Sequence, residues 1–151
     1  MRDRIAKKSK RYISLALFLM AIGTLGAWLF QTSFGTVSVK QISWETSTGY
    51  SLNGILLTPK DRQEGDKLPA VVTTHGWFNT KEMQDLNYVE LSRRGFVVLA
   101  LDMYGHGGSE IVPEDSWFTG ALHGNGVYDA VDYLAHLDYV DSERIGVTGH
   151  S

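Results

Sequence analysis

Three apolar runs, each followed by small and polar residues, constrain this chain more than any other feature. They are "LPAVVTTHG" (68–76), "FVVLALD" (96–102) and "RIGVTG" (144–149). A strand covered on one face alternates apolar and polar residues, whereas a continuous apolar run belongs to a strand buried on both faces. Between the first two runs, Met83, Leu86, Val89 and Leu91 keep roughly helical spacing up to Gly95. Between the last two, Val127, Val131, Leu134 and Ala135 fall on one helical face. Buried strands alternating with amphipathic helices call for an α/β sheet with right-handed crossovers.

A hairpin precedes this unit. "VSVKQISWET" offers Val37, Val39 and Ile42 to one buried face, provided the register breaks between them. "GYSLNGILLTP" follows across a turn at Gly49-Tyr50, and "KDRQEGDK" is a charged surface loop. The expected fold is therefore a β-hairpin followed by a parallel βαβαβ unit.

Tyr12 to Phe30, "YISLALFLMAIGTLGAWLF", carries no charge. About 20 apolar helical residues cross a bilayer core, so this run spans it. Arg2, Arg4, Lys7, Lys8, Lys10 and Arg11 precede it, opposed only by Asp3. Basic residues mark the cytoplasmic flank, which places the N-terminus inside and the remainder outside. Two rivals stand beside the anchor. A buried core helix would show a polar stripe. A cleaved signal peptide would have a shorter apolar region and a small-x-small site, approximated only by Thr24-Leu25-Gly26; its product would be secreted. The expected organisation is a basic tail (1–11), an anchor (12–30), a polar spacer (31–35) and one domain (36–151).

Removing the tail leaves eight basic against sixteen acidic residues, about −8, on the body. Such a body is a poor nucleic-acid binder, since phosphate neutralisation needs a basic face. The absence of cysteine excludes a disulfide scaffold and thiolate metal sites. "GNGVYD" (124–129) lacks the third glycine and preceding strand of a dinucleotide fingerprint. There is no Walker A loop and no His-Glu-x-x-His cluster. No cofactor and no metal are expected.

Ligands bind beyond the carboxyl ends of the strands in sheets of this kind. Those ends here are "THGWFN", "DMYGHGGS" and "GHS". A strand running into Gly149-His150-Ser151 supplies the first three positions of the Gly-x-Ser-x-Gly elbow, which sets a nucleophilic serine in a tight strand-to-helix turn. The x-Gly and the helix would come next, so the expectation is a chain cut at its elbow.

On "VVTTHGW", "LALDMYGHGGS", "GVYDAVDYL" and "VDSERIGVTGHS", the chain from about Val37 onward resembles the α/β-hydrolase superfamily. Within it, the sequence is most similar to serine hydrolases grouped with dienelactone hydrolases and prolyl-oligopeptidase-like acyl peptidases. The resemblance implies Ser151 as nucleophile. It implies His75-Gly76 as the pair before an oxyanion-hole residue, Trp77, with Phe78 a lesser candidate; both side chains would line the acyl pocket. Two such N–H donors each lower a barrier by about 3–4 kcal/mol. Triad order in this fold is serine, acid, histidine, so Asp102 and His106 precede the nucleophile and do not belong to a triad. They, with His75, Gly76, Gly149 and His150, shape the site. Asp102 is expected to fix the turn after its strand. His123 and His136 carry no signal.

The expected activity is cleavage of an ester, thioester or amide in a small-molecule or peptide acyl substrate. The alternative is a membrane-tethered binding protein that keeps this fold without its chemistry.

Overall fold

A computed structural model describes residues 2–112 and 121–150. The opening helix α1 (Arg2–Gln31) is followed by the hairpin strands β1 (Val37–Glu45) and β2 (Ser51–Pro59). Then come β3 (Leu68–Thr74), a 3-10 turn (Lys81–Gln84), α2 (Asp85–Arg93), β4 (Val97–Asp102), α3 (Ala121–Ala135) and β5 (Val140–Gly149). The five strands form one sheet in the order β1-β2-β4-β3-β5. β1, β2 and β4 pair antiparallel in succession; β4, β3 and β5 are parallel. This is the β-hairpin and parallel βαβαβ unit expected from the alternation of runs and helices.

Both faces of β4 and most of β2 are buried, which accounts for the run at 96–102. β5 departs from the expectation: the run at 144–149 lies largely exposed, because β5 is an outermost strand and pairs only with β3. On one face Leu52, Leu56, Val72, Leu99 and Leu101 pack with Ala130 and Leu134 of α3. On the other, Val37, Ile55, Leu57, Val98 and Ala100 pack with Tyr88 and Val89 of α2. All six residues of β4, the strand flanked on both sides and both faces, are buried. The end of α2 is closed by Gly95 N–H on the Ser92 carbonyl (3.1 Å) and Phe96 N–H on that of Leu91 (3.3 Å), with Gly95 at φ +92°.

Two details differ from the periodicity. β1 pairs with β2 without a register break, so Val37 and Ile42 lie on opposite faces of the strand. Val39, on the Val37 face, is exposed because it sits on the outermost strand. Met83 precedes α2, in the 3-10 turn, and is exposed. The buried face of α2 is instead made by Tyr88 and Val89.

Helix α1 contains the stretch Lys7–Gln31, whose most apolar 18 residues have a mean hydropathy of 2.1 and are not buried. It is long and apolar enough to cross a membrane. A hydrogen-bonded turn then carries the chain into β1. Thr32 N–H donates to the Trp28 carbonyl (3.0 Å), and Val37 N–H returns to the Thr32 carbonyl (2.9 Å). Between them Ser33, Phe34 and Gly35 all take positive φ (47°, 57° and 86°), a left-handed turn that reverses the chain. Lys60 N–H, just past β2, donates to the Thr36 carbonyl (2.9 Å) and ties this turn to the hairpin. The helix thus enters the sheet at the edge opposite the carboxyl ends of β3, β4 and β5.

Candidate active site

Because β3, β4 and β5 are parallel, their carboxyl ends reach the same edge, and three sequence-distant segments meet there. His75 links two of them. Its ring is buried, with Nδ1 2.8 Å from the Gly76 carbonyl and Nε2 3.1 Å from the Met103 amide. A backbone N–H can only donate, so Nε2 accepts and Nδ1 carries the proton. The imidazole is thus a neutral brace between the loops after β3 and β4. The His106 ring lies 5.0 Å from that of His75, and its Nδ1 is 3.1 Å from the Tyr104 carbonyl.

Asp102 closes β4 and is fully buried. One carboxylate oxygen accepts from the Lys81 amide (2.8 Å), the other from Lys81 Nζ (2.6 Å) and the Gly108 amide (2.9 Å). The Asp102 carbonyl accepts from Ser109 Oγ (2.7 Å), which in turn accepts from the Asn53 amide (2.8 Å). With its carboxylate thus occupied, Asp102 holds the 3-10 turn before α2 and the loop after β4 in one arrangement. A Cβ on Gly107, at φ +52°, would fall 2.2 Å from the carboxylate, so only glycine lets that loop close on Asp102. Burial pulls the Lys81 pKa down, but the hydrogen bond and charge of Asp102, helped by Glu82, outweigh it and leave it raised. Nothing in the spacing announced Lys81: it lies 21 positions before Asp102, in a stretch of polar residues.

Trp77 is partly exposed and Phe78 largely exposed, their rings 6.4 Å apart at the mouth of this edge. Phe78 adopts φ +58°, a conformation that a bulky residue takes only where its surroundings impose it. Functional sites are where such backbone strain gathers. Tyr104 donates its hydroxyl proton to Asp129 Oδ2 (2.7 Å), and Thr46 Oγ1 lies 3.1 Å from the same phenol oxygen. Burial, with the Asp129 carboxylate, holds its pKa above the usual phenol value.

The third segment closes on β3. Gly149 pairs with Thr74, and a Cβ at Gly149 would lie 2.5 Å from Thr74 Oγ1. His150 is exposed, and its amide donates to the Thr74 carbonyl (3.2 Å). Ser151, the expected nucleophile, lies outside the described residues, as does the side chain of His123. Among the described residues, no group of three or more His, Cys, Asp or Glu gathers that could hold a metal ion.

Comparison with known proteins points to the same chemistry. The sequence profile of X-Pro dipeptidyl-peptidase (S15 family) matches residues 48–151. Human dipeptidyl peptidase 8 is 29% identical over 119 residues, 72% of this chain but 13% of its own length. The uncharacterized protein PA2218 of Pseudomonas aeruginosa is 32% identical over 75% of this chain and 30% of its own. Its crystal structure superposes with a TM-score of 0.66 over 74% of this chain and 35% of that one. A bacterial heroin esterase gives a TM-score of 0.61 at 25% identity, over 88% of this chain and 41% of that one. The chain therefore spans less than a third of the length of these curated relatives.

Proposed function

Since the chain belongs to the X-Pro dipeptidyl-peptidase (S15) family of serine hydrolases, we propose that it is the anchor and first part of a membrane-bound hydrolase. The enzyme would cleave a peptide or ester through an acyl-serine intermediate. The observation that carries this reading is the convergence of three strand ends, with Gly149 closing the third and His150-Ser151 next in sequence, within a span matched by the family profile. Peptide cleavage draws support from the family and from dipeptidyl peptidase 8; ester cleavage from the heroin esterase.

In this reading Ser151 Oγ attacks the acyl carbonyl, and a histidine from the longer parent chain takes its proton. The Trp77 N–H donates to the oxyanion as it forms, and the side chains of Trp77 and Phe78 line the acyl pocket. The protonated histidine hands its proton to the leaving amine or alcohol, and water then releases the acyl group by the same steps. His75, Gly76, Asp102, His106, Gly149 and His150 shape the loops that aim these groups. α1 holds the enzyme with its N-terminus in the cytoplasm and the hydrolase domain outside. The deciding experiment is labelling of the parent chain with a fluorophosphonate. Ser151 takes the label and Ser151→Ala loses it; persistent labelling of the variant places the nucleophile elsewhere. A wild-type chain that folds but takes no label is the tethered binding protein instead.

A further inference from the structure

The eight basic residues of the body divide sharply. Lys81 pairs with Asp102, Arg93 and Arg94 with Glu90, and Arg144 with Asp141. Lys67 Nζ donates to the Asp138 carbonyl (2.6 Å). The remaining three, Lys40, Lys60 and Arg62, have no carboxylate partner among the described residues, and all three line one groove. Ser38, Lys40, Leu56 and Thr58 form its floor on one face of the β1–β2 hairpin. Arg62 closes it, its guanidinium 4.4 Å above the Tyr139 ring. The volume is about 610 Å³, and Glu64 is the single acidic residue at its wall. On a body of net charge about −8, this is a cationic pocket in an otherwise acidic surface.

Its position gives it an occupant. The Lys60 amide is bonded to Thr36, in the turn that joins α1 to β1. Phe34 projects from that turn, 79% exposed, directly after the apolar helix, where aromatic rings favour the bilayer interface. The groove therefore opens beside the point where the anchor leaves the membrane. We propose that it binds the phosphate headgroup of an anionic phospholipid in the bilayer that α1 crosses. The Lys40 and Lys60 ammonium groups and the Arg62 guanidinium meet the phosphate, while Ser38 and Thr58 offer hydroxyl donors. Basic side chains next to an anchor are drawn to anionic lipid at short range, within a Debye length of the surface. Docked this way, the domain stands on its hairpin with the strand ends pointing away from the lipid. The inference rests on the anchor part of the proposed function and not on the hydrolase chemistry.

The test uses the parent chain in nanodiscs of phosphatidylcholine alone or mixed with phosphatidylglycerol. A spin label is placed at Gln63→Cys, exposed between Arg62 and Glu64 beside the groove, and its collisions with a water-soluble nickel chelate are measured. Phosphatidylglycerol should shield the label, and the Lys40→Gln/Lys60→Gln/Arg62→Gln variant should lose the shielding. A label at Tyr128→Cys, exposed on α3, should report no change in either lipid. Equal nickel access at residue 63 in both lipids overturns the proposal. So does shielding by inorganic phosphate in phosphatidylcholine discs to the same degree, because the site then takes free phosphate. Co-migration with the discs, scored separately in both lipids, tests the anchor itself; failure there removes the premise without touching the charge argument.

Discussion

Asp102→Asn separates structure from catalysis at the candidate site. The carboxylate serves three donors with two acceptor oxygens: the Lys81 amide, Lys81 Nζ and the Gly108 amide. An asparagine of the same shape has one oxygen. If that oxygen keeps Lys81 Nζ and Gly108, its NH2 group faces the Lys81 N–H, and a buried donor goes unmet at about 1–3 kcal/mol. Lys81, its side chain 8% exposed, also loses its buried counter-charge and keeps only Glu82 at 3.3 Å, which is half exposed. Breaking a buried pair from one side costs about 3–5 kcal/mol. Glu82 offsets part of that, so we expect about 3 kcal/mol in all. In a domain of this size that lowers Tm by roughly 6–12 °C. The assay is thermal unfolding of the parent chain, read beside fluorophosphonate labelling at a temperature where the variant stays folded. Labelling should persist there. Lys81→Met should destabilise as well, and the double variant should lose less than the sum of the two. An unchanged Tm with labelling abolished would refute the reasoning and make Asp102 a direct participant in the chemistry.

Gly107→Ala should destabilise by about 1–3 kcal/mol, because its Cβ would fall 2.2 Å from the Asp102 carboxylate at a φ of +52°; unfolding in urea measures it. Tyr104→Phe should cost about 1 kcal/mol for its bonds to Asp129 and Thr46, seen as a lower urea midpoint with an unchanged slope. The Lys81 pKa is raised above 10.5 on folding. The pair's contribution is therefore intact below pH 10.5 and is lost as pH climbs through the folded value, so wild type should lose stability in that alkaline range while Lys81→Met does not. Residues 31–151 alone present β5 as an unpaired edge with Val147 half exposed. They should aggregate or give no near-ultraviolet circular dichroism, and a sharp cooperative transition would refute this.

β4 was legible because it is covered twice, and double coverage writes an unbroken apolar run such as Val97 to Leu101, whereas the run in β5 lies largely exposed at the sheet margin. The site edge was legible for a related reason: where such a run stops, Gly, His and small polar residues follow. β1 was harder. Covered unevenly at the sheet margin, it buries Val37 and exposes Val39 on the same face, and the missing periodicity looked like a slipped register. Lys81 was invisible because a lysine among polar residues reads as solvated; only the fold carries it across to the end of β4. The turn at Thr32–Thr36 hides likewise: besides its backbone bonds, Thr32 Oγ1 donates to the Trp28 carbonyl and accepts from the Gly35 amide, and Thr36 Oγ1 donates to the Ser33 carbonyl, yet threonines in a polar spacer read as ordinary solvated residues.

For the proposed membrane-bound hydrolase, the entry of α1 at the edge opposite the strand ends would bear on the acidity at the site. The five steps from Val97 to Asp102, at about 3.3 Å each, place Asp102 roughly 16 Å above the start of β4. An anionic membrane holds about −30 mV at its surface, enough to draw the local pH roughly half a unit below bulk. At physiological ionic strength the Debye length is about 8 Å, so the field decays roughly eightfold over that height. A proton-transfer step at the strand ends therefore titrates with the surrounding medium and not with the bilayer. The pH–rate profile of the parent enzyme should keep its midpoint when phosphatidylcholine is replaced by phosphatidylglycerol, whereas a site lying against the lipid would shift by that half unit.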